Sequence, residues 1–190
     1  MRLSEHTFRS PVTSAPPKGS VGTETDWLEF CDFELRSGKM LVIDPTLRPV
    51  PSDGLLVELP PETYRLEAAV MEFGQDSRIS RLRVCIPEGE ARRAESIGTT
   101  GTDSGQVGIC DYPAFAEAWG TDDEVAWAKV EPALWNDFGI VTLGEETGAL
   151  MPYVASGFGD GEFPVYGLRE DETLVGAEIE FIPRSASYPF

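Results

Sequence analysis

Tyr153-Val-Ala-Ser-Gly-Phe-Gly-Asp-Gly-Glu-Phe-Pro-Val-Tyr-Gly167 sets two strand-forming runs on either side of a cluster of glycines and one aspartate. Val154 on one side and Phe163, Val165 and Tyr166 on the other favour strands. Asp160-Gly161 between them predicts a hairpin with a type I′ turn, whose two central positions need φ > 0. Gly157 and Gly159 exceed what a minimal turn requires, which points to a bulge or to a backbone lying close to something else. Pro164 cannot donate to a ladder, so its strand is expected at an edge or to be irregular there. Two uses fit the stretch: plain turn geometry, or a ligand loop that presents Asp160 beside bare backbone.

Outward from this loop, period-two alternation recurs. Tyr64, Leu66, Ala68 and Val70 share one face of a run from Thr63 to Phe73. Leu82, Val84 and Ile86 share a face opposite Arg81 and Arg83. Val175, Ala177, Ile179 and Phe181 face in, while Glu178 and Glu180 face out. Shorter strands are expected at Trp27–Leu35, Met40–Ile43, Leu55–Leu59, Val107–Cys110, Ile140–Leu143 and Leu150–Ser156. Asp44-Pro45 ends one of them, because proline drives its predecessor from the helical region. Residues 87–101 read as a loop or short helix, and 144–148 as a turn.

Helical signals are confined to about residues 112–137. Phe115 and Trp119 lie four apart on one helical face. Thr121-Asp-Asp-Glu124 reads as a capping box with Thr121 at the cap. Val125, Trp127, Val130 and Leu134 follow as an apolar stripe, with Trp135 a further packing candidate. The expected fold is therefore α+β and β-rich: a mostly antiparallel sheet, sandwich or open barrel, with two short covering helices. Residues 1–24, which hold Pro11, Pro16, Pro17 and Gly19, read as a flexible N-terminal arm. Residues 25–190 read as a single β-rich domain with that helical insert.

Charge narrows the partners. Fifteen Lys and Arg stand against 33 Asp and Glu, a net charge of −18. Such a field repels phosphate backbones and anionic lipid, which argues against nucleic acid and membranes, and favours basic proteins or cations. Cys31, Cys85 and Cys110 form no C-x-x-C pair, and the first residues lack a signal-peptide shape, so a reducing cytoplasm is expected. His6 is the only histidine and lies in the arm, which removes histidine-based triads and leaves any metal site to oxygen ligands.

Four stretches together resemble a known family: Gly38-Lys-Met-Leu-Val-Ile-Asp44-Pro45, the strand pair from Pro60 to Val84, Thr102-Asp-Ser-Gly105 leading to Cys110-Asp111, and Gly157-Phe-Gly-Asp160-Gly-Glu-Phe-Pro-Val-Tyr166. The chain resembles the uncharacterised bacterial domain-of-unknown-function family 4241 over about residues 27–182. The resemblance implies an architecture and candidate positions, with no reaction attached. Ser104, in the small-residue position after Asp103, and a longer helical insert near 119–137 depart from the family pattern.

Three chemistries suit these residues. No cofactor is required by any motif, yet Asp44, Asp103, Asp111 and Asp160 could converge as an oxygen cage for Ca²⁺ or Mg²⁺, or as an acid–base pair in a hydrolase-like enzyme. Asp103, Ser104, Gly157, Gly159, Asp160, Gly161 and Tyr166 could line a ligand site, and a small molecule could sit between Trp119, Trp127 and Tyr166. The favoured expectation is a non-enzymatic binding or interaction module of the immunity or inhibitor kind, meeting a basic partner through Glu117, Asp122, Asp123, Glu124 and Glu131.

Overall fold

Alternating strands must share an interior, and the order in which they pair decides which residues meet. The computed structural model describes residues 1–9, 15–87, 89–134, 136–143 and 149–190. Its strands are β1 (Thr23–Glu24), β2 (Leu28–Leu35), β3 (Lys39–Ile43), β4 (Leu55–Glu58), β5 (Glu62–Glu72), β6 (Ser77–Cys85), β7 (Arg92–Thr102) and β8 (Gln106–Asp111). Helices α1 (Tyr112–Trp119) and α2 (Asp123–Val130) follow, then β9 (Phe138–Leu143), β10 (Ala149–Ala155), β11 (Gly161–Glu170) and β12 (Thr173–Glu180). One antiparallel sheet runs β1-β5-β6-β12-β11-β7, with β2 also on β5; a second runs β4-β3-β8-β10-β9. Trp135 and the expected turn at 144–148 lie outside the described residues.

The β-rich α+β expectation holds, with both helices on one side. Leu66, Ala68, Leu82, Val84, Ala177 and Ile179 of the first sheet enclose the main core with Met40, Val42, Val107, Ile109 and Val154 of the second. The alternate residues Leu41, Ile43, Cys110, Met151 and Tyr153 turn the other way, against Phe115, Trp119, Ala126 and Val130. Burial on both faces explains why Met40–Ile43 is an unbroken apolar run.

The glycine stretch corrects the hairpin expectation. β10 pairs with β8 and β9, whereas β11 pairs with β12 and β7. Residues 156–160 thus carry the chain from one sheet to the other. The positive φ values fall on Gly157 (67°) and Gly159 (114°), and Asp171 is the one described non-glycine residue with φ > 0. Asp160-Gly161 therefore is no type I′ turn. Pro164 sits opposite Thr99 of β7, ahead of Val165, where the β12 ladder begins, so its missing N–H falls where β11 is paired on one side.

Three further expectations change. Residues 92–102 form an 11-residue strand rather than a loop or helix. Their polar, glycine-containing sequence shows no alternation because β7 lies at a sheet edge with most side chains in water. The α2 cap is Asp122, which accepts from the N–H groups of Glu124 and Val125, so the helix begins one residue after the expected box. Its buried residues are then Ala126 and Val130, leaving Val125 55% and Trp127 36% exposed. The described part of the N-terminal arm also lies against the body. Leu3 is fully buried, Glu29 N–H donates to Met1 C=O, and Ser77 N–H donates to Arg9 C=O. Leu3 and Phe8 supply the apolar contacts that the Ser/Thr/Pro composition hides.

A methyl group at Gly157 would meet Ile182 Cγ1 at 2.8 Å and Phe181 Cβ at 3.2 Å; at Gly159 nothing lies within 4 Å. Left-handed backbone costs about 1–2 kcal/mol for a residue with Cβ, and overpacking adds about 1–3 kcal/mol. Gly157→Ala is therefore expected to destabilise clearly more than Gly159→Ala in chemical denaturation. Equal losses would mean that backbone conformation alone sets both.

Candidate functional site

Asp44 follows the last residue of β3 and is 1% exposed. Its Oδ1 accepts from Thr46 N–H (2.8 Å), Thr46 Oγ1 (2.7 Å) and Ser104 Oγ (2.8 Å). Its Oδ2 accepts from Thr102 Oγ1 (2.8 Å), Asp103 N–H (2.9 Å) and Ser104 N–H (2.9 Å). Burial by itself opposes ionisation of this carboxyl. The donors from Thr46, Ser104 and Thr102 outweigh it and hold the group below the usual aspartate range. The carboxylate ties the end of β3 to the turn between β7 and β8.

That turn abuts the glycine stretch. Ser156 N–H donates to Gly105 C=O at 2.9 Å, and Ser156 Oγ donates to Gly159 C=O at 2.8 Å. A Cβ at Gly105 would stand 3.3 Å from Gly159 Cα and 3.6 Å from Asp160 Oδ1. Asp103, Ser104, Gly157, Gly159, Asp160 and Gly161 therefore gather around one junction, with Asp44 beneath it. Asp103 gives Asp44 its N–H, and its side chain, like that of Asp160, is exposed.

Asp111 stands apart, at the far end of β8. Five residue steps separate it from Gln106, about 17 Å along a strand. It accepts from Arg36 N–H (2.7 Å), Ser37 N–H (2.9 Å) and Ser37 Oγ (2.6 Å), fixing the passage from β2 to β3. Tyr166 is on the outer face of the first sheet, with the Arg93 guanidinium 3.5 Å above its ring. Trp119 is buried in the helix cluster, where its Nε1–H donates to Asp123 at 2.8 Å. Tyr166 is thus separated by both sheets from Trp119 and Trp127 of the helices, and the three do not enclose one pocket. Among the described residues no three His, Cys, Asp or Glu side chains are grouped to hold a metal ion.

The sequence reading missed a charge lattice on the outer face of the first sheet. Arg81 joins Glu24 and Glu178, and Arg93 joins Glu178 and Glu180, the latter two at 2.9 Å. Arg184 also reaches Glu24, and Arg83 pairs with Glu67. Trp27 lies under both Arg81 and Arg83, with ring centroid to guanidinium distances of 4.6 and 4.3 Å. Burial opposes the Glu24 charge, yet its bonds from Arg81, Ser80 and Arg184 bring its carboxyl below the ordinary glutamate range. Alternation had placed Arg81, Arg83, Glu178 and Glu180 on this face; strand register, which pairs them, was the missing piece.

The helical insert is charged differently. It carries six acids, Glu117, Asp122, Asp123, Glu124, Glu131 and Asp137, against Lys129 alone. Asp123 pairs with Arg48 at 3.1 Å, while Glu117, Glu124 and Glu131 are exposed with no ion-pair partner among the described residues. Val125 and Trp127 are exposed among them.

Because the folded carboxyl of Asp44 titrates below the unfolded one, its contribution is full above the unfolded value of about 3.9 and fades as pH falls through the folded value. Asp44→Asn is expected to cost about 3 kcal/mol at pH 7, since buried donors lose a charged acceptor, and the gap to the unsubstituted protein should narrow as pH falls below about 4 on denaturant titration. Asp103→Ala should stay within about 0.5 kcal/mol. A gap that ignores pH would show that Asp44 acts without its charge. Comparisons of the chain with protein-family models, with curated proteins and with solved structures give no match.

Proposed function

We propose that this chain is a non-enzymatic binding module that meets a basic protein through the exposed face of α2, in the manner of an immunity or inhibitor protein. One observation carries the reading. The acids of the large sheet are largely answered by arginines, whereas Glu117, Glu124 and Glu131 of the insert are unpaired among the described residues, and Glu124 and Glu131 stand at i−3 and i+4 of the exposed Trp127. Tryptophan is a preferred anchor of protein interfaces, and unpaired rim charge accelerates encounter with an oppositely charged partner.

The metal-dependent alternative draws less support, because Asp44 and Asp111 spend their lone pairs on the protein's own donors. The resemblance to the family of unknown function implies no reaction either. A cytoplasmic setting suits the three free cysteines, Cys31, Cys85 and Cys110. Burial pushes the Cys31 and Cys85 thiols up to about 12 and about 11, as expected of unreactive packing residues. Among the described residues no helix is long and apolar enough to cross a membrane.

The test is affinity capture from cell extract with the intact chain, followed by calorimetry on the purified partner. A basic protein is expected, with Trp127→Ala weakening it by about tenfold or more and the triple change Glu117→Lys, Glu124→Lys, Glu131→Lys abolishing its salt dependence. A partner held equally by all variants, or one that is not basic, would sink the proposal.

A further inference from the structure

A sheet edge exposes unpaired N–H and C=O groups that can accept another strand, and proteins usually blunt such edges with charge, proline, bulges or brevity. Among the described residues three of the four sheet edges are blunted, β2 sharing one of them with the two-residue β1. β4 has four residues. β7 carries Arg92, Arg93 and Glu95 and is irregular in register against β11. β2 has a bulge between Glu29 and Cys31, carries Glu29, Asp32 and Glu34, and is flanked at Glu29 by Arg2.

β9 differs. Phe138-Gly-Ile-Val-Thr-Leu143 has no charge and no proline, and its register with β10 is unbroken. It ends its sheet. Ala155 N–H donates to Asp137 C=O, which sets the phase of the ladder: residues 137, 139 and 141 bond to β10, and Phe138, Ile140 and Thr142 aim their backbone groups away from it. Pro152, which has no N–H, stands opposite Ile140 in a non-bonded pair, as this phase requires. No backbone partner for Phe138, Ile140 or Thr142 occurs on the open side among the described residues, and Ile140 is 43% exposed.

The surroundings select the occupant. Helix α2 and the short turn Glu131–Ala133 pack against β9, and Asp137 precedes it, so the strand adjoins the acidic insert. We infer that the open edge of β9 takes an extended, lysine- or arginine-bearing segment of the basic partner as an added strand; this rests on the function proposed above. Main-chain bonds to Phe138, Ile140 and Thr142 would give affinity, and the neighbouring acids would choose a cationic sequence. A second copy of this chain, at net charge −18, meets the same edge with repulsion instead.

The probe is a short peptide alternating lysine and valine, compared with the same peptide N-methylated at every amide, which keeps the charge and removes the donors of both strand edges. Binding is followed by tryptophan fluorescence and by amide exchange of residues 138, 140 and 142. The unmodified peptide should bind about tenfold or more tighter than the methylated one and slow those amides, and Thr142→Lys should weaken it with the fold intact by thermal melt. Equal binding of both peptides, or no binding of either, overturns strand addition while leaving the α2 docking face standing. Methylation-sensitive binding untouched by Trp127→Ala but weakened by the three charge reversals would support the edge and count against Trp127 as an anchor, whereas binding that ignores the reversals would overturn the selection of a cationic strand. A dimer in light scattering that Thr142→Lys dissociates would assign the edge to a second copy and overturn the inference.

Discussion

The chain passes between its two sheets four times, at 36–38, 59–61, 103–105 and 156–160, and each passage interrupts a ladder close to the core. Backbone groups stranded there need partners, since an unpaired buried N–H costs free energy comparable to a lost hydrogen bond. The passages therefore come in neighbouring pairs. Leu59 N–H donates to Gly38 C=O, joining the first two, and Ser156 N–H donates to Gly105 C=O, joining the others. Each pair also has a buried carboxylate: Asp111 collects the N–H groups of Arg36 and Ser37, and Asp44 those of Asp103 and Ser104. Without these anions the N–H groups of the passages would lose their acceptors.

The same economy governs the surface. On the first sheet the register sets Glu67 beside Arg83 and Arg83 beside Glu178, so opposite charges alternate across β5, β6 and β12. Arg81 and Glu178 are buried in that lattice, where a lone ion would be strongly disfavoured and a paired, hydrogen-bonded one is tolerated. The net charge of −18 is consequently uneven in effect. Its uncompensated part includes the insert, on short helices that bury Phe115, Trp119, Ala126 and Val130 and leave their acids to water.

How much of this was legible depended on the range of each signal. Alternation in β5, β6 and β12 and the unbroken run in β3 are local consequences of which faces are buried, and both were read directly. Asp160-Gly161 was misread because a hairpin and a sheet-to-sheet passage use the same residues; only the partners of β10 and β11 tell them apart. β7 was missed because an edge strand with little burial imposes no pattern. The role of Asp44 was out of reach for another reason. Asp-Pro announced the end of a strand, but the donors that define the carboxylate lie about sixty positions onward, at Thr102, Asp103 and Ser104.

Anchoring and ligation make opposite demands on a carboxylate. A metal ligand or general base must keep a lone pair for its substrate, whereas an anchor is most effective when every lone pair is engaged. Asp44, with three donors on each oxygen, satisfies the second demand completely. Short acids beside glycine and proline are common to both roles, so the motif alone could not separate them. Donor saturation does, and it moves the functional question from the glycine junction to the open edge and acidic helix on the far side of the second sheet's core.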